Sequence, residues 1–318
     1  MSTKAEVDQR PADVASAGPG SIADQARIGF TAAISAYVLW GIFPIYYKPL
    51  SVMSADVVVA HRAIWSLVFV GVFLVMVGRF REVRTILADP KHVLLLMVSG
   101  LVILVNWSIF VWAIEVGRVL EVSFGYFCNP LVSVVLGVVI LHEQLTRWQQ
   151  VSLAIAAAAV LIQGVVLGAF PWIALCLAFS FATYGYLRKM IPVRATPGFF
   201  VETMITAPLA LAYIAWVASA GRLVFPTHEP LLALLLIGTG AVTAAPLILF
   251  AMGARRLPLS TMGFLQYIAP SLHFVFAVFV FGEALSMLTL LTFVLIWVSL
   301  AIFTIDLVRR HGKAQAAP

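Results

Sequence analysis

The chain is built mainly of long apolar runs, each close to the length of a helix that crosses a lipid bilayer. Such a helix needs about 20 consecutive, mostly apolar residues. Hydrophobic residues make up 62% of the chain and charged residues only 11%, whereas soluble proteins average about 45–50% and about 25%. The sequence therefore predicts an all-α membrane protein with ten transmembrane helices, in contact with the lipid bilayer. The ten runs are approximately residues 28–48, 56–78, 92–114, 118–141, 149–167, 170–187, 198–219, 230–252, 259–281 and 286–308.

Positive charges are distributed unequally between the two sides of this predicted bundle. Sixteen of the 20 Lys and Arg residues fall in segments on the side of the N-terminus, and three fall in loops on the other side. Because basic residues are retained on the cytoplasmic side, both termini are predicted to be cytoplasmic. Residues 1–25 lack apolar periodicity, which predicts a disordered cytoplasmic tail, and residues 309–318 form a second cytoplasmic tail. This topology accounts for the net charge of +6 without a nucleic-acid partner.

One pattern of residues occurs twice, with a constant separation of 140 positions. Residues 123–143 read SFGYFCNPLVSVVLGVVILHE, and residues 263–283 read GFLQYIAPSLHFVFAVFVFGE. A constant offset without gaps indicates an internal repeat. Two residues that lie 140 positions apart are called counterparts below. They include Pro130 and Pro270, Glu143 and Glu283, and Leu145 and Leu285.

The offset carries the first predicted span onto the sixth, so each half of the chain contains five spans. An odd number of spans forces the second half to enter the membrane in the opposite orientation. We therefore expect two inverted five-helix repeats, residues 26–168 and 169–308. In such an architecture the binding site lies between the halves near the bilayer midplane and opens alternately to each side.

Two prolines are predicted to bend spans four and nine near the middle of the membrane. Pro130 and Pro270 lie about 11–12 residues into their runs, or ~17 Å into a core of ~30 Å. Proline inside a helix removes a backbone hydrogen bond. Interrupted helices at matching positions are typical of transport sites, and a simple packing kink is the alternative. The substrate-binding candidates are the polar residues Tyr126, Asn129, Gln266, Tyr267 and Asn106, with Trp40 and Trp107 as flat walls.

Arg62 and Glu202 are charged residues inside predicted spans, and they are counterparts. An unpaired charge in hydrocarbon costs at least ~2.5–3.5 kcal/mol, so each must face a cavity or a partner. Arg62 lies a few residues from the outer surface of the membrane and Glu202 a few residues from the inner surface. Their depths in the membrane therefore differ by ~10–14 Å. Arg62 is therefore predicted to lie near Glu121, and Glu202 near Arg188 or Arg255. Arg62 could hold an anionic group of a substrate and Glu202 could carry a coupling proton; two structural or gating ion pairs are the alternative.

Local signals mark several helix ends. Thr146 and Gln149 form a capping-box pattern. Thr196 before Pro197 is typical of an N-cap followed by proline at the first helical position. Glu143 and Glu283 end spans four and nine, where a helix C-terminus disfavours negative charge. We therefore expect both glutamates to serve the start of the next helix.

The sequence offers little support for chemistry other than binding. Cys128 and Cys176 lie in apolar runs without other metal ligands nearby, so no disulfide, metal site or cofactor is predicted. His142 and Glu143 begin like the zinc motif H-E-x-x-H, but the second histidine is missing. The chain contains no G-x-S-x-G and no G-x-x-x-x-G-K-[ST] motif. It is therefore not expected to be an enzyme.

Six stretches of the chain match a known pattern: AHRAIW (60–65), NWSIFVWAIE (106–115), LEVSFGYFCNPLV (120–132), YGYLRK (184–189), FVETM (200–204) and LSTMGFLQYIAPSL (259–272). They resemble the drug/metabolite transporter superfamily in its ten-span form with two EamA domains, and more narrowly its RarD group of predicted permeases. The resemblance implies a small-molecule permease with a central cavity lined by spans from both halves, and it does not select a substrate. Chloramphenicol handling, which is associated with the RarD group, is an alternative. His142, where Gly is usual, and His273, where an apolar residue is usual, depart from the pattern.

These observations together favour a secondary permease that moves a small metabolite or drug, by proton coupling or by exchange, with export as the expected direction. An intramembrane enzyme acting on a lipid-soluble substrate and a passive channel are the alternatives. No feature of the sequence selects an oligomeric state.

Overall fold

The computed structural model describes residues 22–116, 118–167, 170–280, 282 and 287–315, and these residues form helices and connecting turns without a strand. A 3₁₀ helix, Lys48–Val52, follows the first α-helix. The α-helices of the described part are α1 (Ile22–Tyr47), α2 (Ala55–Met76), α3 (Phe80–Leu87), α4 (Pro90–Glu115), α5 (Val119–Val139), α6 (Arg147–Leu167), α7 (Trp172–Met190), α8 (Ala195–Ser219), α9 (Pro230–Ala254), α10 (Leu259–Gln266), α11 (Ile268–Phe279) and α12 (Met287–Gln315).

The apolar runs of the sequence fall on these helices. Eight segments of the described chain are long and apolar enough to cross a membrane, and Phe124–Val139 within α5 is apolar but shorter. The chain is thus an all-α membrane protein, and ten spans remain a prediction. The short helix α3 was not predicted, because it is amphipathic: Val83 and Ile86 are buried on one side while its arginines lie on the other.

The second copy of the repeated stretch is divided into two helices. α10 ends at Gln266 and α11 begins at Ile268, so the interruption falls at Tyr267. Pro270 lacks the N–H that would bond to the carbonyl of Gln266, and this accounts for the position of the break. α5, in contrast, continues through the counterpart Pro130. Only one of the two predicted kinks therefore interrupts its helix.

The predicted helix starts have different outcomes. The capping box is confirmed, since the Thr146 N–H donates to Gln149 Oε1 at 3.0 Å and the Gln149 N–H donates to Thr146 Oγ1 at 3.1 Å. The N-cap predicted at Thr196 is wrong. Arg194 adopts an extended conformation and α8 already begins at Ala195, so Thr196 lies inside the helix.

His142 departs from the family pattern at a position with an unusual backbone. Its φ is 53°, and its counterpart Gly282 has a φ of 67°. Both residues are in the left-handed region, where a side chain costs roughly 1–2 kcal/mol and glycine is free of that cost. The glycine usual at this position is thus explained by conformation, and His142 retains the conformation at a steric cost.

Polar contacts define the two ends of the helix bundle. At one end Arg256 donates to Gln25 at the start of α1; we call it the Gln25 end. At the other, Arg222 forms an ion pair of 2.8 Å with Asp56 at the start of α2; we call it the Asp56 end. Arg222 is exposed, and the neighbouring Asp56 carboxylate raises its pKa, which keeps this pair charged.

Helices α2 and α9 approach each other closely, and this approach positions the site described below. A Cβ atom on Gly240 would lie 2.3 Å from the carbonyl carbon of Trp65, so only glycine fits there. The Ser66 hydroxyl also donates to the Gly240 carbonyl at 3.1 Å. Arg62 on α2 is thereby brought against Thr243 on α9.

Candidate functional site

A cavity of about 430 Å³ lies between helices from both halves of the chain. Its lining runs from Ser51 and Met53, near the Asp56 end, to Leu247 and Gln266 deeper in the bundle. Most of the lining is apolar or aromatic. Seven of the eight substrate-binding candidates line this cavity: Trp40, Arg62, Asn106, Trp107, Tyr126, Asn129 and Gln266.

Aromatic rings form much of the cavity wall. Trp40 packs edge to face against Phe181 with a centroid distance of 5.6 Å. On the opposite wall Tyr126 contacts Phe110 at 6.4 Å and His273 at 5.9 Å, again edge to face. Such walls accommodate flat apolar groups.

Arg62 is half-buried in this wall. Its Nε donates to Thr243 Oγ1 at 2.9 Å. Its guanidinium carbon lies 5.1 Å from the ring centroid of Trp107 and 5.4 Å from that of Tyr47, which are cation–π distances. These contacts hold the guanidinium at the cavity surface.

Three amide side chains line the cavity in different hydrogen-bonding states. Asn106 is tied to α7, because its Nδ2 donates to the Leu177 carbonyl at 2.9 Å and to Ser180 Oγ at 2.8 Å. Asn129 is only 6% exposed, and its Oδ1 has no hydrogen-bond partner among the described residues. Gln266, the last residue of α10, is buried next to the helix break. Asn129 is thus the amide that still needs a partner.

His273 is a cavity residue that the sequence reasoning did not select. Its Nε2 bonds to the carbonyl of Trp40 at 3.0 Å. Pro44 lies four residues after Trp40 inside α1, so it cannot supply the N–H that this carbonyl would normally accept. His273 satisfies the freed carbonyl. The sequence signal that could have found it was a histidine in an apolar run, three residues after Pro270.

An aromatic cluster closes the cavity toward the Gln25 end. The Phe250 ring lies 5.7 Å from Trp40, 5.3 Å from Phe181 and 6.2 Å from Tyr37. The Tyr37 hydroxyl donates to the Met262 carbonyl at 2.9 Å. Tyr37 and Phe250 are buried, so the floor of the cavity is packed shut in this conformation.

Glu202 is paired as predicted, outside the cavity lining. Its Oε1 lies 3.2 Å from Arg188 Nη1, and the side chains are 3% and 1% exposed. Arg188 Nη2 also donates to the Ala195 carbonyl. Arg255, the other predicted partner, donates to the Val193 carbonyl.

The predicted proximity of Arg62 and Glu121 is wrong. Glu121 forms an ion pair with Arg118, three residues before it in the chain. Glu121 is buried but is not part of the cavity lining, whereas Arg62 faces the cavity. The prediction rested on similar expected depths, whereas the partner of Glu121 lies one helical turn away on its own segment.

Tyr267 and Pro130 also lie outside the cavity lining. The Tyr267 hydroxyl donates to the carbonyl of Phe127, its counterpart, at 3.3 Å, and Tyr267 is 1% exposed. The Pro130 carbonyl packs against Gly263 where α5 and α10 cross. Pro270 lines the cavity. Tyr267 and Pro130 thus contribute to the contact between the halves.

Glu143 serves a helix start, but not that of the next helix. Its Oε1 accepts the Leu259 N–H at 2.6 Å, and its Oε2 accepts the Ser260 N–H at 2.8 Å and the Ser260 hydroxyl at 2.7 Å. It therefore caps α10, in the other half of the chain. A carboxylate is favourable there because a helix N-terminus carries partial positive charge. Glu283 lies outside the described residues.

The described residues contain no group of three or more His, Cys, Asp or Glu side chains arranged for a metal ion. Cys128 is buried and Cys176 is exposed, and both are free thiols. The cavity is thus lined by rings, amides, one histidine and one arginine.

A cavity inside a bundle of apolar helices is typical of membrane transport proteins, and comparisons with known proteins place the chain in that class. The EamA-like transporter family matches residues 27–164. A solved crystal structure shares the fold with a TM-score of 0.68 at 19% identity, covering 91% of this chain and 99% of that chain.

Full-length relatives identify the group more narrowly. Protein RarD of Escherichia coli K12 is 42% identical over 92% of this chain and 99% of its own length. An uncharacterized transporter of Vibrio cholerae is also 42% identical, over 92% of this chain and 97% of its own length. A chloramphenicol-sensitive protein RarD of Pseudomonas aeruginosa is 32% identical over 90% and 96%. The chain belongs to the RarD group of the drug/metabolite transporters, which are multi-pass proteins of the bacterial inner membrane.

Proposed function

We propose that the chain is a secondary permease that exports a small molecule through this cavity by alternating access, driven by proton coupling or by exchange. The observation that carries the proposal is a cavity formed by both halves, with aromatic walls, a few polar side chains and a closed floor. Ligand sites are typically concave and apolar with a few polar groups that fix orientation. The substrate contacts that we propose are the seven lining candidates together with His273.

The proposal includes ten spans arranged as two inverted repeats. Support comes from helix pairs that correspond under the shift of 140 residues. The contact of α4 with α7 corresponds to that of α9 with α1, and the contact of α5 with α7 corresponds to that of α11 with α1. The counterparts Phe127 and Tyr267 touch each other, as residues beside a two-fold axis would. With both termini in the cytoplasm, the cavity would open to the outside in this conformation.

Alternating access requires contacts that close one end and separate in the other conformation. We propose that the Arg188–Glu202 pair and the Glu143 cap on α10 have this role at the Gln25 end. The Arg118–Glu121 pair lies toward the opposite end and is the candidate for the complementary role. Movement of Glu202 away from Arg188 would also make its carboxylate available to a proton.

The proposal is tested with purified protein in liposomes loaded with a defined mixture of amino acids, nucleosides and aromatic acids. Efflux is followed by mass spectrometry, with and without a pH gradient. We expect at least one compound to leave faster than from protein-free liposomes, and Trp40→Leu to lower that rate at least tenfold. Trp216→Leu is the matched control, because Trp216 is 62% exposed on α8 and outside the cavity. If no compound moves under any gradient, the permease proposal is rejected.

Chloramphenicol transport is the second candidate. The name of one relative, the chloramphenicol-sensitive protein RarD of Pseudomonas aeruginosa, connects that protein with chloramphenicol. The aromatic walls of this cavity would accept a nitrophenyl ring. Chloramphenicol added to the same liposomes tests this directly, since a rate equal to that of protein-free liposomes would exclude it.

A further inference from the structure

We propose that the ligand of the cavity is a small organic anion with an aromatic body, whose negative group binds Arg62. This inference rests on the permease proposal, because it names the chemical class of substrate for the same cavity. It is carried by the charge balance of the lining, the contacts of Arg62 and the shape of the walls.

The charge balance of the cavity is positive. Arg62 is the charged side chain among the described lining residues, which include no Asp and no Glu. The ion pairs of the described chain leave Arg62 without a carboxylate within 4 Å. In a cavity with apolar walls such a charge is weakly screened and attracts anions strongly. A cationic ligand would be repelled by the same field.

The contacts that Arg62 does make position its charge without neutralising it. The Trp107 and Tyr47 rings attract a cation at these distances and carry no net charge of their own. Thr243 takes only the Nε donor. An arginine carries five N–H donors in a planar fork that matches a carboxylate or a phosphate. The donors on the Nη atoms therefore remain for a ligand.

The repeat shows that this charge is a departure from symmetry. The second half contains the ion pair Arg188–Glu202, and the counterparts of these residues in the first half are Lys48 and Arg62. The position of the Glu202 carboxylate is thus occupied in the first half by a positive residue, Arg62, which lines the cavity.

The remainder of the lining defines the other part of the ligand. Four aromatic rings of the lining leave flat apolar surfaces that fit an aromatic body. They belong to Trp40, Phe181, Phe110 and Tyr126. The buried Oδ1 of Asn129, which has no partner in the described structure, is an independent sign that a ligand completes this site. A buried amide oxygen without a hydrogen-bond partner is destabilising, and a donor group of a ligand would remove that cost.

Three probes of nearly equal shape test the inference: 4-phenylbutyrate, 4-phenylbutanamide and 4-phenylbutylamine, which are anionic, neutral and cationic. Binding is measured by calorimetry on the full-length protein in lipid nanodiscs, with empty nanodiscs as the blank. We expect the anion to bind at least tenfold more tightly than the amide, and the amine to bind most weakly. Equal affinities, tighter binding of the amide or amine, or no binding of any probe would overturn the inference.

Variants test whether the preference for the anion depends on Arg62 or on any positive charge of the protein. In Arg62→Gln the affinity for 4-phenylbutyrate should fall at least tenfold to that of the amide, while the amide affinity stays unchanged. Arg62→Lys should retain part of the preference. Arg222→Gln removes an equal charge from an exposed residue outside the cavity and should leave all three affinities unchanged. A preference that survives Arg62→Gln would contradict the assignment.

The liposome assay distinguishes failure of the permease proposal from failure of the inference about the anion. A preference for the anion without any flux would reject the permease and leave the binding inference intact. Flux of neutral or cationic compounds by a protein without anion preference would reject the inference and leave the permease intact.

Discussion

Two arginines of this chain show that burial and partner decide what a charge does inside a membrane protein. Arg188 is 1% exposed and paired with Glu202, whereas Arg62 is half-buried and faces a cavity. Removing charges from water costs several kcal/mol each, which a well-placed partner can offset. We therefore propose a closing role for Arg188 and a binding role for Arg62.

The Arg188–Glu202 pair gives a prediction at the residue scale. Glu202→Gln leaves the Arg188 charge buried without an anion, and it should lower the free energy of unfolding by about 3–5 kcal/mol. Replacing both residues, with Arg188→Met and Glu202→Leu, should recover most of this loss because no buried charge remains. Denaturant unfolding in detergent micelles measures all three proteins. A Glu202→Gln protein as stable as the wild type would show that the pair does not stabilise the closed form.

At the scale of the helix, prolines determine where backbone groups need outside partners. Pro44 in α1 frees the Trp40 carbonyl, and His273 of α11 supplies the missing donor. Pro270 interrupts the other copy of the repeat at Tyr267. The two helices thus meet at positions where each has lost regular hydrogen bonding, and the cavity forms beside them.

This linkage predicts a rescue between helices α1 and α11. His273→Leu should cost about 1–3 kcal/mol of unfolding free energy, because the Trp40 carbonyl is left without a donor. Pro44→Ala restores an N–H four residues after Trp40, so the double variant should regain most of that stability. Thermal unfolding of the three proteins in detergent provides the measurement. If Pro44→Ala makes His273→Leu worse or has no effect, the freed carbonyl is not what His273 stabilises.

At the scale of the whole molecule, the structure is closed at the Gln25 end and open toward the Asp56 end. The closure joins the halves, since Glu143 of the first half caps α10 of the second, while Tyr37 of α1 bonds to Met262. These contacts between the halves would have to separate for the cavity to open at the Gln25 end.

Loosening the Glu143 cap should expose α10. In a background with Cys128→Ala and Cys176→Ala, the thiol introduced by Thr261→Cys reports on this helix, because Thr261 is 4% exposed. We expect Glu143→Ala to raise its maleimide labelling rate at least fivefold, since two backbone N–H groups of α10 lose their acceptor. The thiol of Ser51→Cys, at the cavity mouth, should not label faster. An unchanged rate at position 261 would contradict a closing role for Glu143.

Much of the site could be predicted because polar residues are rare in the apolar runs. Where a chain must cross lipid, each amide, charge or mid-helix proline needs a reason, and Asn106, Asn129 and Gln266 all line the cavity. His273 meets the same criterion, since it is a histidine in an apolar run that also lines the cavity. The partner of Glu202 was predicted from depth, and the same reasoning failed for Arg62.

The sequence by itself determined the helical membrane class, the approximate helix bounds and the set of candidate polar residues, because run length and repeat offset are properties of residue order. Only the tertiary structure decided which candidates share one space. Successive residues on a helix point about 100° apart. Within α5, Val122 therefore lines the cavity while the adjacent Glu121 pairs with Arg118. The depth of a residue along its helix can be counted from the sequence. What its side chain faces depends on which helices pack alongside.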